Sequence, residues 1–283
     1  MNKLTIAAVG VAMLLLAAGA YYVFQPAPTP AAQAPVPGPV VAETPAAPAA
    51  PAEPQILHPL DAASAPAGEV ASAAAPAAPL PPLEQAGDFV ADALTGLVGR
   101  RGVLQFLQVD GFVQHVVATV DNLPGKHATP RLWPVQPTPG RFTTRSQGDA
   151  LQMDPDNAQR YLPLVQMVEA VDPAQAAALY RRLYPLFQQA YRDLGYPQGY
   201  FNDRLVQVID HLQATPQVEG TVEMALTEVK GPYASTAPWL RYEFADPALQ
   251  GLSAGQRALL RSGVVNQRRL LAWLAAFRAQ IAR

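Results

Sequence analysis

Residues 25–83 decide where this chain can fold. Sixteen prolines and twenty alanines make up 36 of these 59 positions, with four acids and no lysine or arginine. Proline removes a backbone donor and alanine adds almost nothing to a core, so the tract is expected to be a disordered Pro/Ala-rich linker. As a polyproline-like spacer it reaches at most about 180 Å, and as a loose coil its ends average about 45 Å apart. Its one apolar interruption, QILHPL at 55–60, is a candidate docking peptide. Everything that needs a packed interior must lie to either side.

On the N-terminal side, residues 4–24 (LTIAAVGVAMLLLAAGAYYVF) carry no charge. As a helix this run spans about 31 Å, close to the hydrocarbon thickness of a bilayer. Residues 1–24 are therefore read as an N-terminal transmembrane anchor. Ala18-Gly19-Ala20 also fits a signal-peptide cleavage site, which leaves cleavage after Ala20 as the rival reading. Retention is favoured because the apolar run continues through Tyr21, Tyr22, Val23 and Phe24, and paired tyrosines suit a membrane interface. Lys3 precedes the span and no basic residue follows it until Arg100, which puts the N-terminus in the cytoplasm. With no cysteine in the chain, a lipid-modified cysteine anchor and disulfides are both excluded.

Residues 84–283 have the composition of a globular domain, large enough to bury a core without metals or cross-links. Their periodicity is mainly helical, and the expected fold is a single domain of about six to eight helices with a small β-hairpin or sheet. A first helix near 84–98 is followed by a second pattern from Val103, whose continuation Asp110 is expected to cap. Asp154-Pro155 and Asp172-Pro173 each read as N-cap and first helical residue, with Pro185 kinking or dividing the second helix. Ser253 and Gln256 form a capping box, and Ser262-Gly263 breaks the chain before a last helix. RFTTRSQGDALQM (141–153) reads as a hairpin turning at Gln147-Gly148-Asp149, and the strand in 221–231 is expected to pair with Tyr242-Glu243-Phe244.

Chemistry is harder to find. There is no thiol and no GxSxG, and His115, His127 and His211 lack an HxxxH spacing, so neither a metal nor a cofactor is expected and catalytic residues stay unknown. Gly125-Lys126-His127 lacks the rest of a phosphate-binding loop. His115 reads as a tucked or surface histidine and His211 as a helix-end cation. Asp203 and Asp210 fall on one helix face about 10 Å apart, long for a glycosidase pair, and Glu243 or Asp246 could complete such a site.

Two segments are richer than a scaffold needs. The proline-rich stretch 120–142 carries Arg131, Trp133 and Arg141, a candidate cationic-aromatic surface. In LGYPQGYFNDRL (194–205), Gly195 and Pro197 end one helix, while Asn202 is expected to cap the next with Phe201 and Val206 as its staple. That corner does not require Tyr196, Gln198, Tyr200 or Arg204, which complete the candidate binding surface. The domain holds 19 bases against 18 acids, but after Asp246 there is no acid, and Arg257, Arg261, Arg268, Arg269, Arg278 and Arg283 follow. Such an end could meet anionic lipid.

VDNLPGKHATPRLWP (120–134), LYPLFQQAYRDLGYPQGYFNDRLVQVIDHL (183–212) and YEFADPALQGLSAGQRALLR (242–261) together resemble the bacterial domain of unknown function number 3014, across essentially 84–283. The resemblance implies a Gram-negative-type envelope protein built as membrane segment, Pro/Ala tract and domain, and it supplies no activity, ligand or catalytic residue. With the anchor, it gives a single-pass inner-membrane protein whose C-terminal domain is periplasmic. The expected function is a tethered interaction or scaffold module for an envelope protein or cell-wall component, with nucleic acid excluded by location. The alternatives are a carboxylate-based hydrolase of cell-wall material and a domain that contacts anionic lipid.

Overall fold

The computed structural model describes residues 55–60, 79–227 and 238–282. The anchor reading of 1–24 and most of the linker lie outside the described residues. Among the described residues, no helix is long and apolar enough to cross a membrane.

Among the described residues, eight helices and one small sheet make up the domain. Helix α1 (Gly87–Phe106) bends where Gly99 adopts a φ of 74°, which joins the two expected helical patterns into one bent element. It buries Val90, Leu94 and Val103. Helix α2 (Phe112–Asn122) starts at Gly111 in the left-handed region (φ 61°), not at an Asp110 cap: the glycine turns the chain without a side-chain bond. Val113, Val117 and Val120 face inward as the spacing predicts. Helix α3 (Asn157–Ala170) begins later than Asp154-Pro155 suggests. The Asp154 carboxylate instead accepts the Asp156 N–H at 2.9 Å and pairs with Arg145 at 2.9 Å, organising a turn ahead of the helix.

Helix α4 (Pro173–Asp193) opens on the expected cap, Asp172 accepting the Gln175 N–H at 2.9 Å. Pro185 does not divide it: the proline sits on the exposed face, where an unpaired carbonyl can turn toward water. Helix α5 (Phe201–Gln213) is followed late in the chain by a short α6 (Pro247–Gln250), then α7 (Ala254–Arg261) and α8 (Val264–Ile281). The predicted Ser253–Gln256 capping box starts α7, and Gly263 at φ 86° separates α7 from α8.

Strands β1 (Thr144–Gln147) and β2 (Ala150–Met153) form the predicted hairpin, with Gly148 at φ 61° in its turn. Strands β3 (Glu223–Leu226) and β4 (Tyr242–Phe244) pair as expected, Met224 opposite Phe244. The sequence left open that β2 also pairs with β3, Leu151 opposite Met224, giving one antiparallel sheet in the order β1-β2-β3-β4. Val222, Met224, Phe244 and Leu260 form a small core on the sheet. The main core is helical, and α8 packs against α3, α4 and α5.

The α4–α5 corner follows from local chemistry. The Gly195 N–H donates to Arg192 O at 3.0 Å and the Tyr196 N–H to Tyr191 O at 3.3 Å, the double bond pattern of a Schellman stop. The Tyr196 ring completes it by stacking on Tyr191, centroids 4.6 Å apart. A Cβ on Gly199 would lie 2.6 Å from a Tyr191 ring carbon, so only glycine fits there. Beyond it Phe201, fully buried, stacks on Phe187 at 5.8 Å and tilts against Tyr191 at 5.5 Å. Phe201→Ala is expected to cost about 3–5 kcal/mol in urea denaturation, whereas the exposed Leu104→Ala changes stability by less than about 0.5 kcal/mol.

Candidate functional site

Helix α5 has Tyr200, not Asn202, at its N-cap. Asn202 lies in the first turn and is fully buried, because its amide has stronger claims than a cap. Its Nδ2 donates to Ile281 O at 2.9 Å and to His58 O at 2.8 Å, and its Oδ1 accepts the Tyr180 hydroxyl at 3.2 Å. Behind it, Tyr184 donates to Gln188 Oε1 at 2.8 Å, and the same oxygen accepts the Phe201 N–H at 2.9 Å. Gln188 Nε2 donates to Gly199 O at 2.7 Å, so one side chain braces both ends of the bend before α5. Tyr200 leans on Tyr184, ring centroids 5.4 Å apart.

This corner holds residues 55–60, which belong to the same compact unit as the domain. The Asp203 carboxylate accepts the Leu57 N–H at 2.9 Å on one oxygen and the His58 N–H at 2.7 Å on the other. The Tyr200 hydroxyl accepts the Leu60 N–H at 2.8 Å. With the Asn202–His58 bond, all four polar contacts fall on the main chain of the segment. Leu60 packs against the edge of the helical core, while Ile56 and Leu57 stay 53% and 69% exposed. The corner thus reads main chain, bent at Leu57 and His58 so that two successive N–H groups meet one carboxylate, with Asp203 further favoured by the positive end of the α5 dipole.

The four residues left over by the turn separate. Tyr200 faces the docked segment. Tyr196 instead donates to Asp121 Oδ2 at 3.0 Å. Arg204 reaches Asp121 Oδ1 at 3.0 Å and Asp121 O at 2.9 Å, so both side chains tie the corner to the end of α2. Gln198 is exposed and makes no side-chain hydrogen bond among the described residues.

The 120–142 stretch is stitched to the domain. Thr119 donates to Leu132 O at 2.9 Å, and the Gln136 N–H to Phe106 O at 2.8 Å. Arg131 is exposed on a short 3-10 turn, and Trp133 is half-buried, its indole N–H without a hydrogen-bond partner in the described residues. Arg141 lies 3.8 Å over the ring of Trp239, so its aromatic partner is that tryptophan and not Trp133. Arg141, Phe142, Arg160, Tyr161, Trp239 and Arg261 line a shallow pocket of about 230 Å³. The 120–142 stretch meets the α4–α5 corner through Asp121 alone in the contacts described above, and neither described pocket is lined by residues of both.

Three of the four carboxylates proposed for hydrolysis are committed to separate partners. Asp203 holds the segment, Asp210 pairs with Arg278 at 2.8 Å, and Asp246 caps α6 by accepting the Ala248 N–H at 2.8 Å. Glu243 is exposed on β4, and neither described pocket is lined by any of the four. The C-terminal arginines are also engaged within the domain. Arg268 meets Glu219, Arg269 meets Glu169, and Arg257 and Arg261 donate to main-chain carbonyls. Arg283 lies outside the described residues.

The family DUF3014, described as a protein of unknown function, matches residues 112–278. The chain belongs to that family. The match runs from α2 into α8 and includes the whole α4–α5 corner, but it begins after both the docked segment and α1. DUF3014 is the family that the three phrases resemble, over a shorter stretch than the domain itself. No curated protein and no solved structure matches the chain.

Because Arg204 bridges two helices while Gln198 faces water, Arg204→Ala is expected to cost about 1–3 kcal/mol and Gln198→Ala less than about 0.5 kcal/mol, both by urea titration. Burial raises the phenol pKa values of Tyr180 and Tyr184 above the usual 10.0, so past that pH the folded protein keeps protons that the unfolded chain releases. Stability is therefore full below about pH 10 and falls as pH rises beyond it. Urea titrations on either side of pH 10 are expected to show that fall, with a shallower slope in Tyr180→Phe.

Proposed function

We propose that this DUF3014 protein is a membrane-tethered interaction module of the bacterial cell envelope. Residues 4–24 anchor it in the inner membrane, the Pro/Ala tract spaces it off, and the helical domain works in the periplasm on an envelope protein or wall component. One observation carries the reading: the α4–α5 corner turns a carboxylate, a phenol and an amide toward a stretch of chain bent at Leu57 and His58, and that stretch is seated on them. A turn between two helices needs none of these contacts. Acceptors and a donor set on a rigid helix start are what recognition of a peptide main chain requires.

Two measurements in cells test this. A C-terminal alkaline phosphatase fusion is expected to be active and to remain in the membrane fraction with residues 1–20 intact; an inactive fusion removes the periplasmic assignment. A photocrosslinker at Gln198, beside the seat, is expected to give a discrete adduct that Asp203→Ala abolishes. An adduct of the same size from Arg131, or one indifferent to Asp203, would show that the corner is not the contact surface.

A further inference from the structure

We propose that the α4–α5 corner is an exchangeable peptide site, closed by the chain's own residues 55–60 until a segment of a partner protein takes their place. Resting on the interaction-module reading, this gives the ligand a chemistry. It is a segment bent at two residues whose successive N–H groups are free, with a carbonyl on the second, then proline, then an apolar residue with a third N–H. Residues 57–60 (Leu-His-Pro-Leu) have this pattern, and proline at the third place brings no donor that the site would leave unsatisfied.

The contacts themselves make the occupant replaceable. Its four hydrogen bonds come from the main chain, which another segment that takes the same bend supplies equally. Of its larger apolar side chains, Leu60 reaches the core edge, while Ile56 and Leu57 remain mostly exposed. The seat is also built without it. Tyr184 and Gln188 hold the bend, Asn202 keeps Ile281 O and Tyr180 as partners, and an emptied Asp203 faces water. Opening the site therefore breaks no hydrogen bond between elements of the domain, and it leaves one Asn202 donor to water or to the incoming segment.

Tethering explains why so light a contact is made at all. Only residues 61–79 of the Pro/Ala-rich tract lie between the segment and Leu80, which packs against the helical core, and a tether of that length holds the segment at an effective concentration on the order of millimolar. A weak ligand is seated at such a concentration, yet it yields to a partner that adds contacts of its own.

The test uses the full-length chain in detergent micelles and a fluorescein-labelled peptide of residues 52–61 (AEPQILHPLD), followed by anisotropy. In the chain carrying Leu57→Pro with His58→Pro, the two donors facing Asp203 are gone and the seat is open. That variant is expected to bind the peptide at least about tenfold more tightly than the unaltered chain does. Adding Asp203→Ala is expected to weaken binding by about tenfold or more. If that triple variant unfolds by circular dichroism, Tyr200→Phe in the same background removes only a hydroxyl and should weaken binding severalfold. Equal binding to the open and closed chains, or none to the open one, overturns the proposal. So does a dimer of the unaltered chain that falls apart in the double variant, since the occupant would then be a second copy's segment. Failed exchange beside an intact Gln198 crosslink removes the latch and leaves the interaction module; exchange without any crosslink does the reverse.

Discussion

The side-chain amide of Asn202 is the constraint around which the helices are registered. It is fully buried, and both its donors and its acceptor are used. Through it α5 is fixed against Tyr180 of α4 and the last carbonyl of α8, and the docked segment is fixed to all three. The aromatic packing nearby, with Tyr180 against Phe187 at 5.4 Å and Phe277 at 6.0 Å, supplies much of the apolar burial. Ring packing of that kind tolerates a small slide of one helix on another. A buried amide does not, since each unmade bond leaves a polar group out of water at a cost of about 1–3 kcal/mol. Apolar burial makes the domain stable, and this amide makes it specific.

The features legible in the sequence are those whose cause is local. Asp172-Pro173, the Ser253–Gln256 box and the Gly195 stop are each set by residues within one turn, and each stands where expected. The hairpin at Gly148 is of the same kind. Two of the misplaced starts share a cause. Asp154 and Asn202 are residue types that cap helices, but the same short polar side chains also build turns or bond to distant carbonyls, and only tertiary partners decide which. At Asp110 the left-handed Gly111 makes the turn instead. The β2–β3 pairing was illegible because α3, α4 and α5 lie between the two strands in sequence. At the candidate site, Tyr200 was visible as a residue that the turn does not need. Tyr196 and Arg204 looked equally spare because their partner, Asp121, sits more than seventy residues away. Tyr180, Tyr184 and Gln188 recur at four-residue spacing along one face of α4, a signal that could have marked the floor of the site.

Charge has a quieter role than the run of arginines suggests. Arg268, Arg269 and Arg278 of α8 each meet a carboxylate from elsewhere in the fold: Glu219 before β3, Glu169 of α3 and Asp210 of α5. Exposed pairs of this kind contribute about 0–1 kcal/mol each, so they do little to hold the domain together. They do neutralise the acid-free C-terminal segment, and what looks in sequence like a cationic end is electrically mixed in the fold.

The position of α8 in the chain has a consequence in time. The seat for residues 55–60 needs Asp203, which lies 146 positions after Leu57, and it needs the carbonyl of Ile281 later still. At about 5–20 residues per second of synthesis, the segment leaves the ribosome on the order of ten seconds or more before the seat exists. During that interval the peptide is made and has nowhere on its own chain to go. Self-closure is therefore the last event in the making of each molecule, and its timing is set by the ribosome before affinity has any say.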